Sequence, residues 1–192
     1  MAQPVVIDVE TQFSFRDVGG FDPRKLKVSV AGIYDYAADK YLAFEEKELP
    51  RLFAYLENAS VIIGFNVVDF DLPVIRPYYI GDLRKFSTLD LLKYVEQSLG
   101  FRVSLDDLAR ETLNKKKTGH GLLAIEYYRN GEIDKLKKYC LSDVEITKNL
   151  YEFGKKNHKV FFKDVRGRRE IVVDWADMAV PAKAQVNLTM PW

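Results

Sequence analysis

The sequence is poor in cysteine, in net charge and in long apolar runs. Its 192 residues include a single cysteine, Cys140, which excludes an intramolecular disulfide framework and fits a reducing compartment. The formal net charge is +1, so bulk charge announces no nucleic-acid partner, and any basic footprint must come from local clustering. No apolar run approaches the ~18–20 residues that span a bilayer. The opening MAQPVVIDVE lacks the basic start and apolar stretch of a secretory signal. Repeats, low-complexity tracts and Pro/Gly/Ser-rich linkers are missing too. What is there is 47% hydrophobic and 13% aromatic residues, enough for a packed core. The expectation is a soluble, cytoplasmic, globular protein with no membrane segment and one main domain.

PVVIDVE is a short, β-branched run of the kind buried on both faces in a central strand. Two alternating runs around Ala37–Ala38–Asp39 read as a hairpin. Residues 45–58 carry Leu49, Leu52, Phe53 and Leu56 at helical spacing, with Pro50 near the start. SVIIGF reads as a second buried strand. DFDLPVIRPYY reads as a short helix or turn cut by Pro73 and Pro77. KFSTLDLLKYVEQSLG is a strand entering a helix that ends at Gly100. Ser104 is placed to cap SLDDLARETLN. Two more helices follow, each expected to stop at a glycine, the second at Gly154. KVFFKDVRGRREIVVDW has an Arg-Gly-Arg turn between alternating runs, a second hairpin, and the remaining tail has no period. The pattern predicts an α/β layered fold.

Three places carry chemistry. Asp8 and Glu10 are two apart on the first strand, so both leave the same face. Carboxylates on an apolar strand are costly without a cation, and Mg²⁺ or Mn²⁺ prefers oxygen ligands. A solvated strand end that opens a loop is the plain alternative. In GFNVVDFDLPVI, Asn66 and Asp71 bracket N-x-x-x-F-D beyond a strand, where α/β sheets build sites. Asp69 competes with Asp71 for that role, and capping of a helix start is the other reading. In YCLSD, Tyr139 and Asp143 are one helical turn apart at the edge of an apolar stripe.

In this order, D-x-E, N-x-x-x-F-D and Y-x-x-x-D, the set resembles the DEDD superfamily of 3′–5′ exonucleases, which is ribonuclease H-like. It is most similar to the tyrosine branch, which includes the proofreading domain of family B DNA polymerases. The histidine branch carries its histidine five residues before the last aspartate, and here that position is Lys138. DVETQ, STLDLL, SLDDLA and YCLSDVEIT also resemble bacterial ribonuclease H-like domains found alone or attached to helicases. The resemblance spans about Val5 to Gly154. It departs at His120, which stands between Gly119 and Gly121 where those domains carry an acid.

The resemblance implies a mixed central sheet flanked by helices at 1–154; the alternating runs beyond it add a C-terminal hairpin and tail at 155–192, expected to pack on the same domain. It implies two Mg²⁺ or Mn²⁺ ions held by Asp8, Glu10, Asp71 and Asp143, with Tyr139 orienting the attacking water. The implied reaction releases nucleoside 5′-monophosphates from 3′ ends, with single-stranded DNA favoured over RNA. RNA as substrate, and a non-catalytic nucleic-acid-binding module that serves a helicase, are the alternatives. Gln12, Phe13, Asn66 and Lys117 are candidate substrate contacts. Phe13 would be a stacking platform, with core packing as the plain alternative, and Lys115–Lys117 would contact phosphates or form a solvated loop. Arg166, Arg168 and Arg169 form a second basic cluster, read as solvated or as a docking surface for a helicase.

Overall fold

The apolar run after Pro4 becomes β1 (Val5–Thr11), the central strand of a five-stranded mixed sheet in the computed structural model, which describes residues 2–115 and 121–175. The sheet adds β2 (Val28–Asp35), β3 (Lys40–Glu45), β4 (Ile62–Gly64) and β5 (Thr88–Asp90), in the order β3-β2-β1-β4-β5. β1, β2 and β3 are antiparallel neighbours, whereas β4 lies parallel to both β1 and β5. The β2–β3 turn passes through Asp39 at φ 51°, a left-handed position that aspartate tolerates.

Helices cover both faces. On one side, Val5, Ile7 and Val9 of β1 pack with Leu49, Leu52, Phe53 and Leu56 of α1 (Leu49–Asn58) and with α2 (Leu72–Ile75). A tight turn at Glu46–Glu48 precedes α1, and Pro50 sits in its first turn, where an N–H is not needed. The DFDLPVI segment is a wide π-helical turn, Val67–Asp71, that runs into α2. On the other side lie α3 (Leu91–Leu99), α4 (Leu105–Leu113), α5 (Gly121–Arg129) and the long α6 (Ile133–Asn157). Ser104 caps α4 by accepting from the Asp107 N–H at 3.1 Å.

α6 lies close over β1 and β2 because Gly32 has no side chain. Gly32 is the cross-strand partner of Asp8, and a Cβ there would stand 2.8 Å from Cys140 Sγ. The missing methyl lowers α6 onto the sheet beside the D-x-E strand.

The expected stop at Gly154 is corrected. α6 continues to Asn157 and is closed by His158 at φ 54°. Gly154 is a packing glycine: a Cβ there would meet the Trp175 ring at 2.3 Å. The hairpin β6 (Lys159–Asp164) and β7 (Gly167–Val172) follows. Val160, Phe162, Ile171, Val173 and Trp175 are buried in one cluster with Val144, Leu150 and Tyr151. Thr112 Oγ1 donates to the Phe161 carbonyl at 3.1 Å and accepts from its N–H at 2.9 Å, which ties the hairpin to α4. The hairpin is therefore part of the core. The tail at 176–192 lies outside the described residues.

Candidate active site

Asp8 and Glu10 project from the α6 side of β1, the face on which Val6 enters the core cluster that contains α6. α6 brings Asp143, which is buried, to meet them. One oxygen from each of Asp8, Glu10 and Asp143 falls within 4.8 Å of the other two. Tyr139, one turn earlier on α6, is also buried and faces the same cleft of about 270 Å³. Cys140 lies beneath it, with Sγ 3.4 Å from the Asp8 carbonyl oxygen. Burial pushes its thiol up, and the charges of Asp8, Glu10 and Asp143 push it further.

Asp71 enters from the opposite side of β1. It is 3% exposed and accepts from the Val9 N–H at 2.8 Å. Its carboxyl is held well above the usual carboxylate range, first by burial and then by Asp8. Asp69, two residues earlier, turns outward to Lys93 at 2.9 Å. The two aspartates that compete in the sequence thus face different surroundings.

The turn that presents Asp71 is pinned by Asp90, an acid whose part the sequence reading missed. Its carboxylate accepts from the N–H groups of Asn66 at 2.9 Å and Val68 at 3.0 Å, and from Leu92 at 3.1 Å and Lys93 at 3.3 Å at the start of α3. One side chain caps a helix and fixes the π-helical turn. The cap position before Leu91–Leu92 was visible in STLDLL. The grip on residues 66 and 68 was not, since it depends on β5 lying beside β4.

The expected substrate contacts divide. Phe13 lines the cleft, as do Phe15, Phe65 and Phe70, which carried no such expectation. Gln12 is buried and donates to the Val28 carbonyl and to Glu46, both at 2.8 Å, so it braces the β1–β2 pair. Asn66 sits at φ 71° with its side-chain oxygen bonded by Arg102, and is not among the cleft-lining residues. Lys117 and His120 lie outside the described residues. Lys115 pairs with Glu145 at 2.7 Å. Arg168 lies over the Phe161 ring at 3.7 Å and Arg169 meets Asp164 at 3.5 Å.

The RNase_H superfamily model matches residues 6–153. The chain belongs to the RNase H superfamily. Membership supports nuclease activity in general. A family B DNA polymerase from the hyperthermophilic archaeon Pyrobaculum calidifontis has a similar structure, with a TM-score of 0.61 and 19% identity. The likeness covers 80% of this chain and 24% of the polymerase, and at that identity it shows the fold alone. No curated protein matches the sequence. Among the described residues, no helix of this RNase H-like domain is long and apolar enough to cross a membrane.

The donor set fits a divalent cation. Three carboxylates converge at one point, and a fourth is buried close enough to Asp8 to be raised by its charge. Such a cluster is costly without positive charge, and all-oxygen donors suit a hard cation.

Proposed function

We propose that this RNase H-like chain is a metal-dependent 3′–5′ exonuclease that hydrolyses the terminal phosphodiester of single-stranded DNA and releases nucleoside 5′-monophosphates. The observation that carries this reading is the convergence of Asp8, Glu10 and Asp143 within 4.8 Å in a cleft that Tyr139 and Asp71 also line.

In this reading Asp8, Glu10, Asp71 and Asp143 hold two Mg²⁺ or Mn²⁺ ions. When bound, these would lower the pKa of a coordinated water and neutralise charge on the departing oxygen. The chain's own residues do the rest. Asp8 belongs to the three-carboxylate cluster and its charge also raises Asp71, so it would be the carboxylate shared by both ions. The Val9 N–H fixes the Asp71 carboxylate, so its orientation is set before substrate arrives. A phenol is ordinarily neutral at pH 7, so Tyr139 acts by holding the nucleophilic water in line rather than by taking its proton. Phe13 borders the cleft where a terminal base can stack.

The test is calorimetric titration of Mn²⁺ into wild type and Asp8→Asn. Wild type binds Mn²⁺, and Asp8→Asn loses binding and turnover by more than about 100-fold, above the cost of removing an outer-shell partner. Wild-type protein that takes up no Mn²⁺ would overturn the reading. RNA ends fit the same acids, and parallel DNA and RNA substrates separate the two.

A further inference from the structure

Beside the acid cleft the chain exposes an aromatic step that leads to a basic groove. Phe21 is 90% exposed, yet its ring is not isolated. Its centroid lies 5.7 Å from that of Phe15, and Phe15 lies 6.3 Å from Phe70 in an edge-on contact. Phe15 and Phe70 line the acid cleft. The three rings thus climb from the cleft to open solvent.

A groove of about 300 Å³ is built in part from the same chain segments as the cleft. The turn at Val67–Asp71 sends Phe70 and Asp71 into the cleft and Val68 into the groove. Three residues after Phe21, Arg24 borders the groove, while Leu26 borders the cleft. Arg76 and Arg84 complete the rim, over a floor that includes Leu72 and Phe86.

Two of these arginines come from the same local device. Asp22-Pro23-Arg24-Lys25 and Asp82-Leu83-Arg84-Lys85 each form one tight turn. In both, the aspartate accepts from the arginine's N–H at 3.1 Å and grips its guanidinium on two atoms. The aspartates orient Arg24 and Arg84, Arg76 adds an exposed charge to the rim, and Lys25 and Lys85 are exposed on the same two turns.

We propose that a single strand of nucleic acid leaves the acid cleft across Phe15 and Phe21, bases against the rings, and continues along this groove with phosphates at Arg24, Arg76 and Arg84. Stacking on aromatic rings needs bases free of a duplex and tolerates any sequence. Guanidinium groups held in place match phosphate on two atoms. The inference rests on the nuclease reading and adds the course of the substrate. An acidic peptide would use the arginines but gain little from the phenylalanine step.

The test compares Phe21→Ala with the triple variant Arg24→Ala, Arg76→Ala and Arg84→Ala. Fluorescence anisotropy in Ca²⁺ measures binding of labelled oligothymidylates of about four and about twelve nucleotides, within the usual range of single-strand sites. Phe21→Ala weakens both by about 5- to 100-fold, the worth of one base stack. The triple variant leaves the short one within about twofold, weakens the long one by about tenfold or more, and flattens its salt dependence. The p-nitrophenyl ester of thymidine 5′-monophosphate is too small to reach either feature, so its hydrolysis stays at wild type in both variants. Wild-type affinity for the longer strand in either variant overturns the track. Wild-type protein that binds both strands through these residues but cleaves no ester supports the track and sinks the nuclease reading instead.

Discussion

Asp69 and Asp71 are chemically identical and two residues apart, and their surroundings give them opposite parts. Asp69 meets Lys93 in solvent, an exposed pair worth about 0–1 kcal/mol. Asp71 is buried on the Val9 N–H, its charge opposed by burial and by Asp8. Asp71→Asn keeps an oxygen acceptor for that N–H and removes the opposed charge. It should abolish nuclease activity and melt no lower than wild type in chelator, whereas Asp69→Asn should stay active. Activity and calorimetric melting of the two variants check this, and an active Asp71→Asn would contradict it. Tyr139 and Asp143 give a second contrast. Tyr139→Phe preserves the packing and should lower kcat about 10- to 1000-fold, the cost of one positioned hydrogen-bonding group, with Mn²⁺ affinity unchanged. Asp143→Asn should weaken both. A kinetically silent Tyr139→Phe would make Tyr139 a core residue only.

At the scale of elements, the loop after β1 carries Phe13, Phe15 and Phe21 and is clasped by Asp17. That carboxylate accepts from the Ser14 hydroxyl and N–H, both at 2.7 Å, and meets Arg129 of α5 at 2.8 Å. The Ser14 bonds, and then Arg129, lower its pKa to about 2. A carboxylate depressed in the folded state adds stability above its unfolded value near 3.8 and loses it as pH falls through about 2. The carboxyl carbon of Asp17, followed by NMR, should titrate near 2, and a midpoint near 3.8 would show that the clasp is open. How much of this was legible in the sequence depended on range. The shared face of Asp8 and Glu10 and the one-turn spacing of Tyr139 and Asp143 follow from strand and helix periods. Gly100 and the Ser104 cap announce themselves within a few residues. Asp90 holding residues 66 and 68, Gln12 bridging Val28 and Glu46, and the Phe70–Phe15–Phe21 contact join distant segments, so no local period marks them. Gly154 was misread because a glycine late in a helical pattern ordinarily signals a stop; only the Trp175 ring explains it.

For the whole molecule, the C-terminal hairpin changes the meaning of the expected division at Gly154. All assigned site residues precede that glycine, yet the last turn of α6 and five buried side chains, Val160, Phe162, Ile171, Val173 and Trp175, follow it. Large core side chains cost roughly 2–5 kcal/mol each when truncated to alanine, against a total stability of about 5–15 kcal/mol. A chain cut after Gly154 should therefore show no cooperative melt by circular dichroism, and a cut chain that melts like wild type would make the hairpin an appendage. The sheet, α6 and the hairpin then act as one scaffold whose product is a cleft with four carboxylates and a tyrosine. The central claim is that this cleft removes nucleotides one at a time from a 3′ end with the help of bound cations. The most direct measurement is product analysis on 5′-labelled single-stranded DNA and RNA with Mn²⁺, with and without excess chelator. The account predicts a stepwise ladder of shortened, 5′-labelled DNA that disappears with chelator. A ladder undiminished in chelator, or intact substrate with Mn²⁺ present, would contradict it.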